Sequence, residues 1–425
     1  MRLAGWAVWL LGSVAVAADP EQTWPAFRGP LGNGVALSKT APIRWSETEG
    51  VRWKTFIHGK GWSSPVVWGR RIWMTTATPD GKELFAVCLD REDGRILWDR
   101  KVFDVPRPAF CHPFNSYASP TPVVEPGRVY VHFGSAGTAC LDSADGRILW
   151  ERRDLPCDHY RGAGSSPILW NDLLILTFDG FDQQYLAALD KQTGRTVWKK
   201  SRDILYSTSD GDFHKAFSTP AVVTVGGKPE LISPAAEATF AYDPATGNEL
   251  WRVVHGGMNV SSRPVFGHGL IYLTSGHTAH LLAVRQGQTA LPGQATTLSE
   301  AAIAWKVTRG VPTRSSLLLA GDYLFMVSDQ GVASCLEART GKTCWQKRLG
   351  GGFSASPVHC NGCIYFADEE GKTHVVRASP EFELLAVNQL EQGCLASPAI
   401  VEGALYLRTR THLYRIEAAA NPDQP

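Results

Sequence analysis

The chain alternates short apolar runs with tight polar punctuation, and the runs have the length and composition of β-strands. Between Ser354 and Ala378, "SASPVHC" and "CIYFADE" are two such runs separated by Asn361-Gly362, a pair suited to the positive φ angles of a two-residue hairpin. A third run, "THVVRA", follows. In other copies of this unit the third run enters a turn of the form Asp-x-x-Thr/Asp-Gly. There the aspartate side chain can accept a backbone N–H and the glycine takes the left-handed position. A tryptophan on a fourth run then closes the unit. The pattern predicts repeated four-stranded antiparallel units and no long helix.

The repetition is explicit. "LDREDGRILW", "LDSADGRILW", "LDKQTGRTVW", "YDPATGNELW" and "LEARTGKTCW" end at Trp98, Trp150, Trp198, Trp251 and Trp345, with a weaker copy, "EAAIAWKV", around Trp305. A second marker, Ser-Ser-Pro or a relative, falls at Ser64-Pro65, Ser119-Pro120, Ser166-Pro167, Thr219-Pro220, Arg263-Pro264, Ser316-Leu317, Ser356-Pro357 and Ser397-Pro398. Eight markers at a period of about 45 residues, each opening a four-strand unit, are the signature of propeller blades. One such sheet cannot bury its own apolar side, so each tryptophan is expected to wedge against the next blade. The last unit, from Cys394 to about Glu417, has only three strands. "GVRWKTFI", Gly50 to Ile57, carries Trp53 and supplies the fourth, which closes the ring and removes two exposed sheet edges. The expectation is an all-β, eight-bladed β-propeller in one domain, residues 45–417, with an N-terminal extension over 19–44 and a tail over 418–425.

The first residues, "MRLAGWAVWLLGSVAVAADPEQ", combine Arg2, an apolar stretch and the small residues Ala15, Ala17 and Ala18. They read as a signal peptide over 1–18, and so predict a periplasmic or secreted protein. The first cysteine is Cys88, so none near the cleavage point would carry a lipid. No other apolar run is long enough to span a bilayer. Lys plus Arg number 42 against 41 Asp plus Glu, which removes the basic excess that nucleic-acid binding needs.

These repeats resemble the quinoprotein-type β-propeller family with PQQ-like repeats, which includes PQQ-dependent alcohol dehydrogenases and BamB, the propeller of outer-membrane assembly. "WPAFRGPLGNGV", "NSYASPTPVV" and "LASPAI" are similar to exported members whose motif implies no particular reaction. The dehydrogenase branch implies a vicinal Cys-Cys disulfide beneath the cofactor and an Asp base beside calcium. None of the nine cysteines (Cys88, Cys111, Cys140, Cys157, Cys335, Cys344, Cys360, Cys363, Cys394) adjoins another, and "CNGCI" has Ile364 where haem attachment needs His. No cofactor is therefore expected. PQQ with calcium belongs to the alternative, a quinoprotein oxidoreductase of alcohols or sugars. Cys88, Cys140 and Cys335 precede the repeated turn and should fill small core sites. The pairs Cys335/Cys344 and Cys360/Cys363 flank turns where a cross-strand disulfide is permitted, and no metal-ligand set accompanies them.

Function on a shared fold resides in the site. The loops joining one blade to the next, and the second to the third strand within a blade, share one face, and here they are polar. They carry His112, Asn115, Tyr117, His159, Tyr160, Arg161, Asp179, His214, Lys215 and Asp329, with Arg263 and Arg314 at or near the inner-strand marker where other blades have Ser. Asn259, Asp212 and His277 lie on the same loops. This set predicts a channel-mouth funnel for a peptide, protein or glycan, with arginines favouring anionic groups. "GAGSSP" around Ser165 lacks the nucleophile elbow of a hydrolase. The predicted role is a non-catalytic binding or scaffold protein of the cell envelope.

Overall fold

Eight antiparallel sheets, each built on four strands in sequence order, make up a computed structural model that describes residues 20–278, 280–287 and 295–418. The proposed signal peptide and the tail beyond 418 lie outside the described residues. In the first blade the order runs from Val66–Trp68 through Arg71–Ala77 and Glu83–Asp90 to Ile96–Asp104. The last blade is completed by Val51–Phe56, which pairs antiparallel with His412–Ile416. The ring closes as the Trp53 strand predicted. Blade 4 gains a short outer strand, Thr296–Thr297, parallel to Glu249–Val254.

The duplicated turn works locally and between blades. Asp142 accepts the Ala144 N–H at 2.8 Å, and Gly146 adopts φ +72°. A Cβ on Gly146 would lie 2.8 Å from the Trp98 ring, so the preceding blade's tryptophan also needs glycine there. The same contact joins Trp53 to Gly94, Trp150 to Gly194, Trp198 to Gly247 and Trp305 to Gly341. Trp150 Nε1 donates to Lys191 O across the blade boundary at 3.0 Å. Trp251 departs from this scheme and donates to Glu230 Oε2 at 2.9 Å inside its own blade. The next blade has no Asp-x-x-Thr-Gly turn to receive it. Apolar cores correspondingly form between blades: Val66, Trp73 and Leu84 of the first pack with Val129, Val131 and Leu141 of the second.

The extension is not peripheral. Thr23–Trp24 pairs with the innermost strand of blade 1, Pro25 O accepts the Val124 N–H at 2.8 Å, and Val35 bridges His359 on the innermost strand of blade 7. Residues 23–36 thus run along the inner strand of blade 1, turn, and leave along that of blade 7. Arg28 pins the turn. It is buried and donates to Pro357 O, and to Leu317 O and Asn33 O at 2.8 Å each. Gly34 has φ +84°, and a Cβ there would lie 2.4 Å from the Arg28 guanidinium. From this plug the chain runs past Trp45, stacked 6.4 Å from Tyr365, to the outer strand of blade 8.

One expectation is corrected. The blade 2 marker is Thr121-Pro122 rather than Ser119-Pro120, because Thr121 makes the inter-blade bonds that Ser64 and Ser166 make elsewhere. All nine cysteines are free thiols. A bulge places Cys335 opposite Trp345 instead of Cys344. Cys360 faces Cys363 in register, but its thiol donates to Ser38 O at 3.1 Å.

Candidate functional site

A cavity of about 330 Å³ opens at the channel mouth, on the face formed by the blade-to-blade loops. Its walls are Trp62, Phe114, Phe217 and Leu395, and Phe27 of the plug lies in its floor among Ser64, Thr121, Ser166, Thr219, Ser356 and Ser397. The plug therefore turns the channel into a cup.

Four members of the expected set line this cup: His112, Asn115, Arg161 and Arg314. Asn115 Nδ2 donates to Arg161 O at 2.9 Å and to Ala163 O at 3.2 Å, while its Oδ1 accepts from Ser119 Oγ at 2.6 Å. Ser119, displaced from the marker, thus holds a pocket amide in place. His112 Nδ1 accepts the Phe114 N–H at 3.2 Å and shapes the loop that presents Phe114. Asn259 and His277 join them, 3.4 Å apart. Burial and the Arg161 charge hold the His277 pKa below its ordinary value, so it is neutral near pH 7.

The arginines do not form an open anion funnel. Arg161 bonds Asp212 at 3.1 Å. Arg314 reaches Asp329 and Glu369 at 3.1 Å each, and its guanidinium lies 4.7 Å from the Phe114 ring centroid. Carboxylates adjoin these two arginines, whereas Lys60 and Arg410 lie over the Trp62 ring of the wall. Asp329 thus enters as the partner of Arg314.

The rest of the expected set sits elsewhere. Tyr117 donates to Ala109 O at 3.0 Å and packs against Gly81 at the loop base. His159 is half-buried against Phe178, its Nε2 accepts the Ser135 N–H at 3.2 Å, and desolvation pushes its pKa down to about 4. Asp179 is buried in a two-point ion pair with Arg202 at 2.6 and 2.8 Å, a strut between blades 3 and 4. His214 stacks 3.7 Å from Tyr206. Lys215 is buried against Asp212 and the Tyr160 ring, with its pKa pushed down to about 8 by burial and by Arg161. Arg263 lies beneath the floor and donates to Phe27 O at 2.6 Å, clamping the plug. Tyr160 belongs to an exposed aromatic ridge, 5.8 Å from Phe110 and 5.5 Å from Phe181.

Sequence reasoning missed Phe27, Trp62, Phe114, Phe217 and the channel course of the extension. A Gly/Pro-dense stretch carrying an arginine and an aromatic, "WPAFRGPLGNGV", was the available signal.

Calcium-bound PQQ would require carboxylates free to ligate the ion. At this mouth Asp212, Asp329 and Glu369 all face cations, and among the described residues no group of three or more His, Cys, Asp or Glu is placed to hold a metal. The donor set does not fit that group.

Residues 35–288 and 292–382 match the family described as outer membrane protein assembly factor BamB. The chain is 24% identical over 248 residues to that factor from Legionella pneumophila, covering 58% of this chain and 48% of the relative. To its counterpart in Alkalilimnicola ehrlichii it is 27% identical over 216 residues, covering 51% and 49%. It thus spans about half the length of these curated relatives. Among solved structures, BamB from Moraxella catarrhalis superposes with a TM-score of 0.60 at 14% identity, covering 88% of this chain and 100% of that one. Quinohemoprotein alcohol dehydrogenase from Comamonas testosteroni gives 0.66 at 11%, covering 96% and 82%. At such identities the structures share the fold, and the fold alone.

Proposed function

The chain belongs to the BamB family of PQQ-like β-propellers, and from that premise we propose that it is an exported binding or scaffold protein of the cell envelope rather than a catalyst. Its partner is a peptide, protein or glycan received at the channel mouth. The observation that carries this reading is the joining of a closed, aromatic-walled cup to an exposed ridge of Phe110, Tyr160 and Phe181 on one face. Exposed aromatics contiguous with a concave site are the composition of a recognition surface. Around the cup Arg161 and Arg314 are engaged in ion pairs, and burial and the Arg161 charge hold His277 below its ordinary pKa.

A photo-crosslinking residue placed at Phe181 tests this against one at Glu402, on a hairpin at the opposite face. In producing cells the ridge position should give a discrete adduct that Phe114→Ala abolishes, and the Glu402 position should not. Equal labelling from both faces, or none from the ridge, would reject the reading. The purified protein with PQQ and calcium should show no dye-linked oxidation of alcohols or sugars; turnover would restore the oxidoreductase alternative.

A further inference from the structure

The inner-strand marker builds a ring of hydroxyls around the channel. In seven of the eight blades the marker N–H donates to the marker hydroxyl of the next blade. Ser64 donates to Thr121, Thr121 to Ser166 and Ser166 to Thr219, each at 2.9 Å. Past the fifth blade, Arg263 donates to Ser316 at 3.0 Å, Ser316 to Ser356 and Ser356 to Ser397 at 2.9 Å, and Ser397 back to Ser64 at 3.1 Å. All seven hydroxyls accept in this way, and among the described residues none of the seven has an acceptor for its own proton. Their residues are at least nine-tenths buried. The eighth position is Arg263, equally buried, with Nε unbonded and no carboxylate in reach among the described residues.

The ring is therefore all donor. A hydroxyl that accepts from an N–H is polarised into a stronger donor, and a buried donor without an acceptor is costly. Six of the seven line the floor of the cup around Phe27. Positive charge lies beneath it on Arg263 and on Arg28, which likewise contacts no carboxylate. Arg161 and Arg314 above, by contrast, are paired with carboxylates. Acceptor-seeking groups thus concentrate at the floor, below an apolar wall of Trp62, Phe114, Phe217 and Leu395.

We propose that this crown binds an oxyanion, the carboxylate or phosphate end of a ligand whose apolar body of aromatic size lies against Trp62, Phe114 and Phe217. The proposal rests on the reading of the mouth as the ligand site and specifies which chemistry it selects. Oxyanion oxygens satisfy several O–H donors at once, and the two buried guanidinia offset the cost of desolvating the charge.

Calorimetric titration with N-acetylphenylalanine, N-acetylphenylalanine amide and phenyl phosphate tests it. The probes share one ring and differ in the end group, so carboxylate and phosphate sources are separated directly. At least one oxyanion should bind ten-fold or more tighter than the amide. Arg263→Gln should erase that preference. Phe27→Trp, which fills the floor without altering the crown, should block all three probes, so the test survives if the arginine variant fails to fold. An amide that binds as tightly as both acids, or no binding by any probe, would mean that the crown holds only water and would overturn the proposal. Cross-linking from Phe181 without oxyanion preference rejects the crown while sparing the mouth, whereas loss of both rejects both.

Discussion

Two sets of arginines share this channel and live by different rules. At the mouth, Arg161 and Arg314 are about one-third exposed and meet carboxylates at 3.1 Å. Arg28 and Arg263 below the floor, and Arg408 between blades 8 and 1, are buried, and their bonds run to backbone carbonyls and to one hydroxyl. Burial pushes the pKa of Arg28 and Arg408 down to about 9 and that of Arg263 to about 10, with Arg263 adding to the effect on Arg28. A guanidinium has five donors in a planar fork, so it can stitch separate strands by their carbonyls without a counter-charge. The lower arginines are fasteners and the upper ones are surface. The same residue type at neighbouring heights stitches backbone carbonyls in one place and pairs with loop carboxylates in the other.

The division breaks first, if it breaks, at Arg28. Arg28→Ala strands the carbonyls of Pro357 and Leu317 on blades 7 and 6, and leaves a void where the plug turns. The expected loss is about 2–4 kcal/mol, read by urea denaturation with the buried Trp24 as reporter. An unchanged midpoint would show that the plug is not fastened by its arginine.

Desolvated histidines extend the effect of burial to pH. Burial holds His132 at about 3 and His159 and His255 at about 4, against 6.5 in the unfolded chain. Between these values the unfolded chain binds a proton that the folded one refuses. Stability is therefore complete above pH 6.5 and is lost as pH falls, by up to about 1.4 kcal/mol per pH unit for each histidine. His159→Gln should flatten the melting temperature profile between pH 6 and pH 4. A profile as steep as that of wild type would mean that His159 takes its proton without unfolding.

The legible parts of this molecule are those that repeat. Five tryptophans seat on turn glycines because each strong copy carries the same aspartate, glycine and tryptophan spacing, and Trp53 obeys it from the far end of the chain. Trp251 strays where the following blade lacks the turn. The plug has no such period. Its conformation is fixed by contacts with blades 1, 2, 5, 6 and 7, most of them remote in sequence, so beyond its density of Gly and Pro local patterning carries little of its course. His159, Asp179 and His214 look like mouth loops in the sequence, but His159 packs against Phe178, Asp179 is buried against Arg202 and His214 stacks on Tyr206. Ser119 and Thr121 both precede proline, and only the bonds between blades tell them apart.

The smallest effect is the sharpest test of the upper set. Arg314→Ala removes a partly exposed guanidinium whose partners, Asp329 and Glu369, keep access to other donors: Asp329 still accepts the Thr313 N–H at 3.1 Å, and Glu369 the Ser354 hydroxyl at 2.7 Å. Exposed ion pairs of this kind contribute little, so the loss should stay below about 1 kcal/mol. Raising salt should narrow the remaining difference from wild type, because these charges are screened. Arg263→Ala, made separately, should cost more and respond less to salt, since it unclamps Phe27 O in a buried setting. If both variants lose the same stability with the same salt response, the division between fastener and surface fails, and the channel arginines are one structural set.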